Sequence, residues 1–274
     1  MRNTYLPFSP PLIEEEEINE VIDTLKSDWI TTGPKTKKFE EEFKSYINAI
    51  GSLALSSCTA ALHTALVALG IGSGSEVITT PMTFCSSVSV IEHAGAKPIL
   101  VDVESDTLNI NPLKIEKAIT SKTKAILPVH YAGHPVELDT IHAIAEKYNL
   151  AVIEDAAHAF PAKYKGRYIG SGDNPVAFSF YATKNLTTAE GGMLTGAPEL
   201  IDKARIISLH GMNRDAWKRY SKEGDWYYEV VMPGFKYNMT DIQASLGLWQ
   251  LRKIERLQAR RKEIVEMYNK AFSK

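Results

Sequence analysis

Two short apolar runs, AVIED and VAFSF, set the strongest limit on how this chain folds, and both lie within residues 151–193. Apolar runs of this length, bounded by turn-forming residues, read as buried strands. Each ends in polar residues able to do chemistry. Asp155 and His158 follow the first run, and Ser179 and Lys184 follow the second. In open α/β sheets, ligands sit outside the carboxyl ends of the strands. An acid, a histidine, a hydroxyl and a lysine are therefore expected to meet in one crevice.

That set has a chemical meaning. A lysine amine forms a Schiff base with a carbonyl, including the aldehyde of pyridoxal phosphate (PLP). A carboxylate facing the pyridine nitrogen keeps it protonated, so that the ring can withdraw electrons from a neighbouring carbanion. A serine near the lysine can hydrogen-bond the phosphate. Taken singly, each residue has a bland reading: a lysine is usually a solvated charge, and an aspartate at a strand end often only caps the next turn. Their order and setting carry the signal.

The rest of the chain alternates strand and helix, which argues for a three-layer αβα domain with a largely parallel sheet. EEEEINEVIDTLKS places Ile18, Val21, Ile22 and Leu25 at helical spacing, and KTKKFEEEFKSYI reads as a second amphipathic helix. SLAL reads as a strand and SSCT as a turn capping the helix AALHTALVAL. A Ser/Thr turn opening a helix offers free N–H groups and a positive dipole end, which suit a phosphate; simple capping by the same atoms is the alternative. His63, one turn into that helix, reads as a packed or surface histidine. GIGSGSE follows a helix and precedes a strand, the reverse of a dinucleotide-binding loop, so Gly70, Gly72 and Gly74 read as a helix stop and turn. Phe84, in the loop after EVITTP, is either core or a platform for a flat ring.

His130 and His134 have the spacing of a zinc pair but fall in a turn with Gly133 and Pro135, so no metal is expected. Residues 211–230 lack a clear period and read as a long loop, in which Arg214, Lys218 and Arg219 face solvent or a nucleotide diphosphate. Residues 240–271 read as one long helix carrying Ile242, Leu246, Leu251, Ile254, Leu257 and Ile264, with ARRK as a wet face. The net charge of −2 supplies no broad attraction to nucleic acid. No apolar run approaches the ~20 residues that span a bilayer, and MRNTYLPFSP lacks a signal peptide's apolar core; the cytoplasm is the expected compartment. Cys58 and Cys85 form no metal-ligand pair and are expected to be buried thiols.

The segments IEDAAHA, FSFYATKNLTTAEGGM and GFKYNMTDIQASLG resemble the DegT/DnrJ/EryC1/StrS family of PLP-dependent sugar aminotransferases. The resemblance runs from PFSPPLIEEEEINEVIDTLKSDWITTGP onward. It implies the aspartate-aminotransferase-like large domain (PLP fold type I) with a mostly parallel mixed sheet. Residues 1–240 would form that domain and 241–274 a linking helix. A small C-terminal domain of roughly a hundred residues would be largely absent from this chain.

By the same resemblance, Lys184 holds the cofactor and shuttles protons, Asp155 pairs with the ring nitrogen, and His158 supports the ring or its phenolic oxygen. Cys58 N–H, Thr59 and Ser179 bind phosphate, and Phe84, after Pro81-Met82-Thr83, stacks on the ring. Relatives carry a Gly-Thr or similar pair where this chain has Cys58-Thr59. Many also have Asn-Tyr-Arg where this chain has Lys236-Tyr237-Asn238, so Asn238, with Lys236 second, is expected to reach the phosphate in a homodimer with shared sites. The WITTGP loop is expected near a site, partly that of the neighbouring subunit.

The implied reaction moves nitrogen from glutamate, releasing 2-oxoglutarate, to a nucleotide-linked 4-keto sugar. UDP-linked substrates of the 4-amino-4-deoxy-arabinose and pseudaminic-acid-type enzymes are the most similar. A sugar dehydratase on this scaffold would have histidine at position 184. A fold-type-I lyase or desulfurase would keep Lys184 and Asp155, and a PLP-binding regulatory or truncated relative would bind the cofactor without transferring nitrogen.

Overall fold

The computed structural model describes residues 4–5, 7–213 and 229–273. Arg214, Lys218 and Arg219 lie outside the described residues. Two helices, α1 (Glu15–Lys26) and α2 (Pro34–Ile47), lead into strand β1 (Gly51–Leu55) and helix α3 (Cys58–Ala68). Alternation continues with β2 (Glu76–Thr79), α4 (Ser86–His93), β3 (Lys97–Leu100), α5 (Pro112–Ala118), β4 (Thr123–Ile126) and α6 (Leu138–Tyr148). There follow β5 (Ala151–Val152), β6 (Glu154–Asp155), a small hairpin of β7 (Lys163–Tyr164) and β8 (Arg167–Tyr168), then β9 (Val176–Ser179) and β10 (Gly192–Gly196). Helices α7 (Pro198–Ser208), α8 (Asp241–Arg252) and α9 (Ile254–Phe272) complete the described chain.

The strands form two ladders, β3-β2-β4-β5 and β6-β9-β10-β1. Because β5 and β6 are parts of one extended run, the ladders join into a single sheet. Ile153 N donates to Ile126 O at 3.0 Å on one side, and Glu154 N donates to Pro175 O at 2.9 Å on the other. Within this sheet the pairings are parallel except those of β10, which runs antiparallel to β1 and to β9; the separate β7–β8 hairpin is antiparallel. The result is the expected α/β architecture. One face packs on α2, α6 and α8 through Phe39, Phe43, Ile141 and Leu248; the other packs on α3, α4 and α7 through Leu62, Leu66, Ile91 and Ile207.

Side chains alternate across a strand, and VAFSF uses this fully. Phe178 and Phe180 point into an aromatic cluster in which Phe43 stacks on Phe160 at 5.0 Å and meets Phe178 and Phe180 edge-on at 5.3 and 5.5 Å. Ala177 belongs to the opposite core and Ser179 lines a cavity. A slip of one residue would drive a hydroxyl into the aromatic core and a phenyl ring into the cavity.

Three expectations change. The row Ile18, Ile22 and Leu25 on α1 faces outward, with Leu25 56% exposed. The inner face carries Glu17 and Thr24, both fully buried. Glu17 is satisfied there by Lys253 Nζ at 2.5 Å and Gln250 Nε2 at 2.7 Å. The expected long helix divides at Lys253, where φ −99° and ψ 6° leave helical geometry between α8 and α9. Lys253 there sends its amine back to α1 instead of continuing the α8 surface. Cys85 is exposed, because its loop faces solvent before α4 begins, whereas Cys58 is buried as expected.

Asp241 clamps the N-terminus of α2. This carboxylate, 1% exposed, accepts from Gly33 N (2.8 Å), Lys35 N (3.0 Å), Thr36 N (2.8 Å) and Thr36 Oγ1 (2.7 Å). The first-turn N–H groups of a helix have no intrahelical partner, and the dipole there favours a negative charge, so a carboxylate from a distant segment serves both needs. Thr32 Oγ1 donates to Met239 O at 2.5 Å and Asp241 N to Thr31 O at 3.0 Å, sewing WITTGP to NMTD. Replacing the carboxylate in Asp241→Ala leaves buried donors unmatched and is expected to cost about 2–4 kcal/mol of unfolding free energy. Urea denaturation of the variant beside wild type measures this, and an unchanged midpoint would refute the clamp.

Candidate active site

The carboxyl ends of β1, β4, β6 and β9 open on one cavity of about 590 Å³. Thr59, Phe84, Asp155, His158, Ser179 and Lys184 all line it, together with the buried Cys58. The residues expected at this chain's own site thus come together; Asn238, expected to reach the phosphate of a second subunit, does not line this cavity. Asn238 bridges to Leu55 and donates from Nδ2 to Thr32 Oγ1 at 2.5 Å.

Lys184 sits in a turn after β9, where its N–H donates to Tyr181 O at 2.9 Å. The base of that loop closes through Phe180 N to Gly191 O and Thr188 N to Phe180 O, both 2.9 Å. Next to the lysine, Asn185 Nδ2 donates to Phe160 O at 2.8 Å, and its carbonyl accepts from Arg261 Nη2 of α9 at 3.2 Å. The backbone is pegged from both sides while the half-buried amine reaches into the cavity. Burial holds the Lys184 amine below the ordinary lysine range, against the opposing pull of Cys58 and Asp155.

Asp155 is buried and held from two directions. Its Oδ1 accepts from Ala157 N at 3.0 Å, and its Oδ2 accepts from Ser87 Oγ of α4 at 2.7 Å. Cys58 Sγ stands 4.0 Å from Oδ1. Burial, then the nearby carboxylate, push the Cys58 thiol well above its ordinary range, although Lys184 opposes this. His158 opens to the cavity on one side. Desolvation of the rest of the ring and the Lys184 charge lower its imidazole, with Asp155 opposing.

The opposite wall is the N-terminus of α3. Ser57 caps the helix, accepting from Ala60 N at 3.0 Å, and leaves the Cys58 and Thr59 N–H groups facing the cavity beside the exposed Thr59 hydroxyl. Gly192 of β10 packs directly behind this turn: a Cβ there would lie 2.5 Å from Cys58 N and 2.4 Å from Ser57 C. Glycine is what lets the sheet approach the turn this closely. Ser179, at the end of β9, faces the same turn across the cavity.

The donor set fits pyridoxal phosphate. A helix N-terminus with free N–H groups and two hydroxyls suits the phosphate, and a half-buried amine with lowered basicity suits the aldehyde. A buried, pre-oriented carboxylate suits the ring nitrogen, and Phe84, 73% exposed on the cavity wall, suits a ring face. Sequence reasoning missed Ser87, Tyr131 and Tyr181. Tyr131 and Tyr181 line the cavity, and Tyr181 was within reach as part of FSFYATKN. Ser87 carried no signal, because only the adjacency of α4 and β6 brings it to Asp155. His130, by contrast, is buried against Glu154 at 3.0 Å, on the far side of β6 from Asp155, and His63 is packed beside Phe235 with Nδ1 3.2 Å from Tyr237 Oη.

Comparison with known proteins agrees with this geometry. A model of the DegT/DnrJ/EryC1/StrS aminotransferase family matches residues 11–274. An uncharacterized protein of Methanocaldococcus jannaschii is 59% identical over 99% of this chain and 71% of its own length. The spore coat polysaccharide biosynthesis protein SpsC of Bacillus subtilis is 54% identical over 99% of this chain and 70% of its own. Among solved structures, Spr1654 from Streptococcus pneumoniae, assigned as a sugar aminotransferase, superposes with a TM-score of 0.91 at 42% identity, covering 98% of this chain and 72% of that one. It has been solved in PLP and PMP forms.

A neutral amine is needed to attack an aldehyde, and the lowered basicity of Lys184 supplies one at lower pH than an exposed lysine does. The rate at which apo-protein takes up PLP, followed by visible absorbance across a pH series, is expected to reach half its maximum below the ordinary lysine range. A midpoint within that range would contradict the burial described here.

Proposed function

The chain belongs to the DegT/DnrJ/EryC1/StrS aminotransferase family, with pyridoxal phosphate as its cofactor, and from that premise we propose that it transfers the amino group of glutamate to a UDP-linked 4-keto sugar. The observation that carries the reading is the meeting of Lys184, Asp155 and the α3 N-terminus in one cavity. SpsC, a polysaccharide biosynthesis protein, supports a sugar acceptor, and the UDP carrier rests on the motifs TKNLTTAEGG and GFKYNMTDIQ.

When bound, pyridoxal phosphate supplies an aldehyde that takes up the donor's nitrogen and a ring that accepts the electron pair freed at the adjacent carbon. Lys184 would hold it through Nζ. When not bonded to the cofactor, the same Nζ would serve as the proton carrier at the site, as base towards the donor's α-carbon when neutral and as acid returning that proton to the cofactor's aldehyde-derived carbon when protonated. Asp155 would face the ring nitrogen with its charge fixed by two hydrogen bonds. The Cys58 and Thr59 N–H groups, the Thr59 hydroxyl and Ser179 would anchor the phosphate and so orient the ring. Phe84 would cover one ring face and exclude water from it, and His158 would support the ring or its phenolic oxygen.

We assign the working unit as a homodimer. Asn238 and Lys236 lie on a segment tied to WITTGP rather than in their own cavity, as a segment offered to a second copy's phosphate would. The outward apolar row on α1 is consistent with a covered face.

A visible absorption band that forms with PLP in wild type but not in Lys184→Ala, bleaches with glutamate and returns on adding a UDP-linked 4-keto sugar is the expected result. A lysine-dependent band that ignores glutamate would reject the donor. No lysine-dependent band in folded protein would reject the assignment of Lys184, and equal recovery with another nucleotide carrier would reject the UDP specificity.

A further inference from the structure

Ser87 is absent from every motif that points to the site, yet its hydroxyl makes the shortest bond to the side chain of Asp155. It is fully buried on the first turn of α4. Its Oγ lies 2.7 Å from Asp155 Oδ2, 2.6 Å from Thr83 Oγ1 and 3.3 Å from Phe84 O. A hydroxyl has one proton to give. An ionised carboxylate can only accept, and a bond to it is shorter and stronger than one to a neutral carbonyl, so the Ser87 proton goes to Asp155. The bond to Thr83 must then run the other way, with Thr83 donating. The geometry yields a directed chain, Thr83 to Ser87 to Asp155, and Thr83 is the immediate neighbour of Phe84.

We propose that Ser87, oriented by Thr83, is the positioning residue that fixes the Asp155 carboxylate against the cofactor's ring nitrogen and ties that acid to the loop carrying Phe84. The proposal rests on the reading that Asp155 faces the ring nitrogen. With Ala157 N–H on Oδ1 and Ser87 O–H on Oδ2, both carboxylate oxygens are held in place. The rotation about the Cα–Cβ–Cγ bonds is thereby fixed before a ligand arrives. Without Ser87, Oδ2 loses its hydroxyl donor and the carboxylate is held through Oδ1 alone, by Ala157 N and the longer contact with the Cys58 thiol, so it turns more freely. The energy then lost belongs to the ring nitrogen alone, since the phosphate and aldehyde are held by other residues.

This distinguishes a positioning role from a merely structural one. The test measures affinity, by quenching of protein fluorescence, for PLP and for an analogue in which CH replaces the ring nitrogen. Loss of a buried hydrogen bond to a charged group is expected to make Ser87→Ala bind PLP about tenfold to a hundredfold more weakly while its affinity for the analogue stays within about twofold of wild type. Thr83→Val, which removes the donor to Ser87 but not Ser87 itself, is expected to show a smaller loss confined to PLP.

Equal weakening of both ligands in Ser87→Ala, or no change in either, overturns the proposal; should that variant fail to fold, Thr83→Val decides by the same comparison. Asp155→Asn separates the two levels. If it discriminates between the ligands and Ser87→Ala does not, only the role of Ser87 fails. If Asp155→Asn treats the ligands alike, the placement of Asp155 at the ring nitrogen fails, and the proposal with it.

Discussion

The two-residue period of β6 and β9 is the constraint on which the site depends. Both strands are buried on two faces, so each residue must serve one side only. On β9 one side is the aromatic cluster around Phe43 and the other holds Ser179. On β6, Glu154 pairs with His130 on one side and Asp155 reaches Ser87 on the other. The same packing that fixes register therefore aims the acid and the hydroxyl. Ring-filled space behind β9 makes any other register costly.

The charges at the site are arranged by asymmetry of partners. Asp155 is supplied with donors, whereas Lys184 makes no ion pair among the described residues and is stripped of part of its water. Burial disfavours a lone ammonium and favours the neutral amine. The loop that carries Lys184 cannot relax to relieve this, because Asn185 is bonded to Phe160 on one side and to Arg261 on the other. Arg261 itself, lowered by burial and bonded to neutral oxygens, brings no carboxylate to compensate the lysine.

Much of this was legible in the sequence where the signal is local. Strand and helix order followed from periodicity, Ser57 announced the α3 cap, and Asp155, Ser179 and Lys184 stood at strand ends. The positions that misled were those decided by packing between distant segments. The spacing of Ile18, Ile22 and Leu25 marks a helix but not which face turns inward; Glu17 turns inward because Lys253 and Gln250 wait for it more than 230 residues away. The break at Lys253 carries no proline or glycine to mark it. Ser87 and Asp241 act across the fold, and no spacing along the chain announces either.

The close approach of Gly192 to the α3 turn bears on how this fold can change over time. Any heavier residue at that position meets backbone rather than a movable side chain, so nothing nearby can repack to absorb it. The depth of the cavity at the helix N-terminus is in effect set by an atom that is missing. Residues around the mouth, such as Tyr181 and Phe84, have solvent to expand into and are free to vary with the molecule being handled. The floor behind Cys58 has no such freedom. Variation in what the cavity accepts is thus confined to the rim, while the turn proposed to hold the phosphate stays constant.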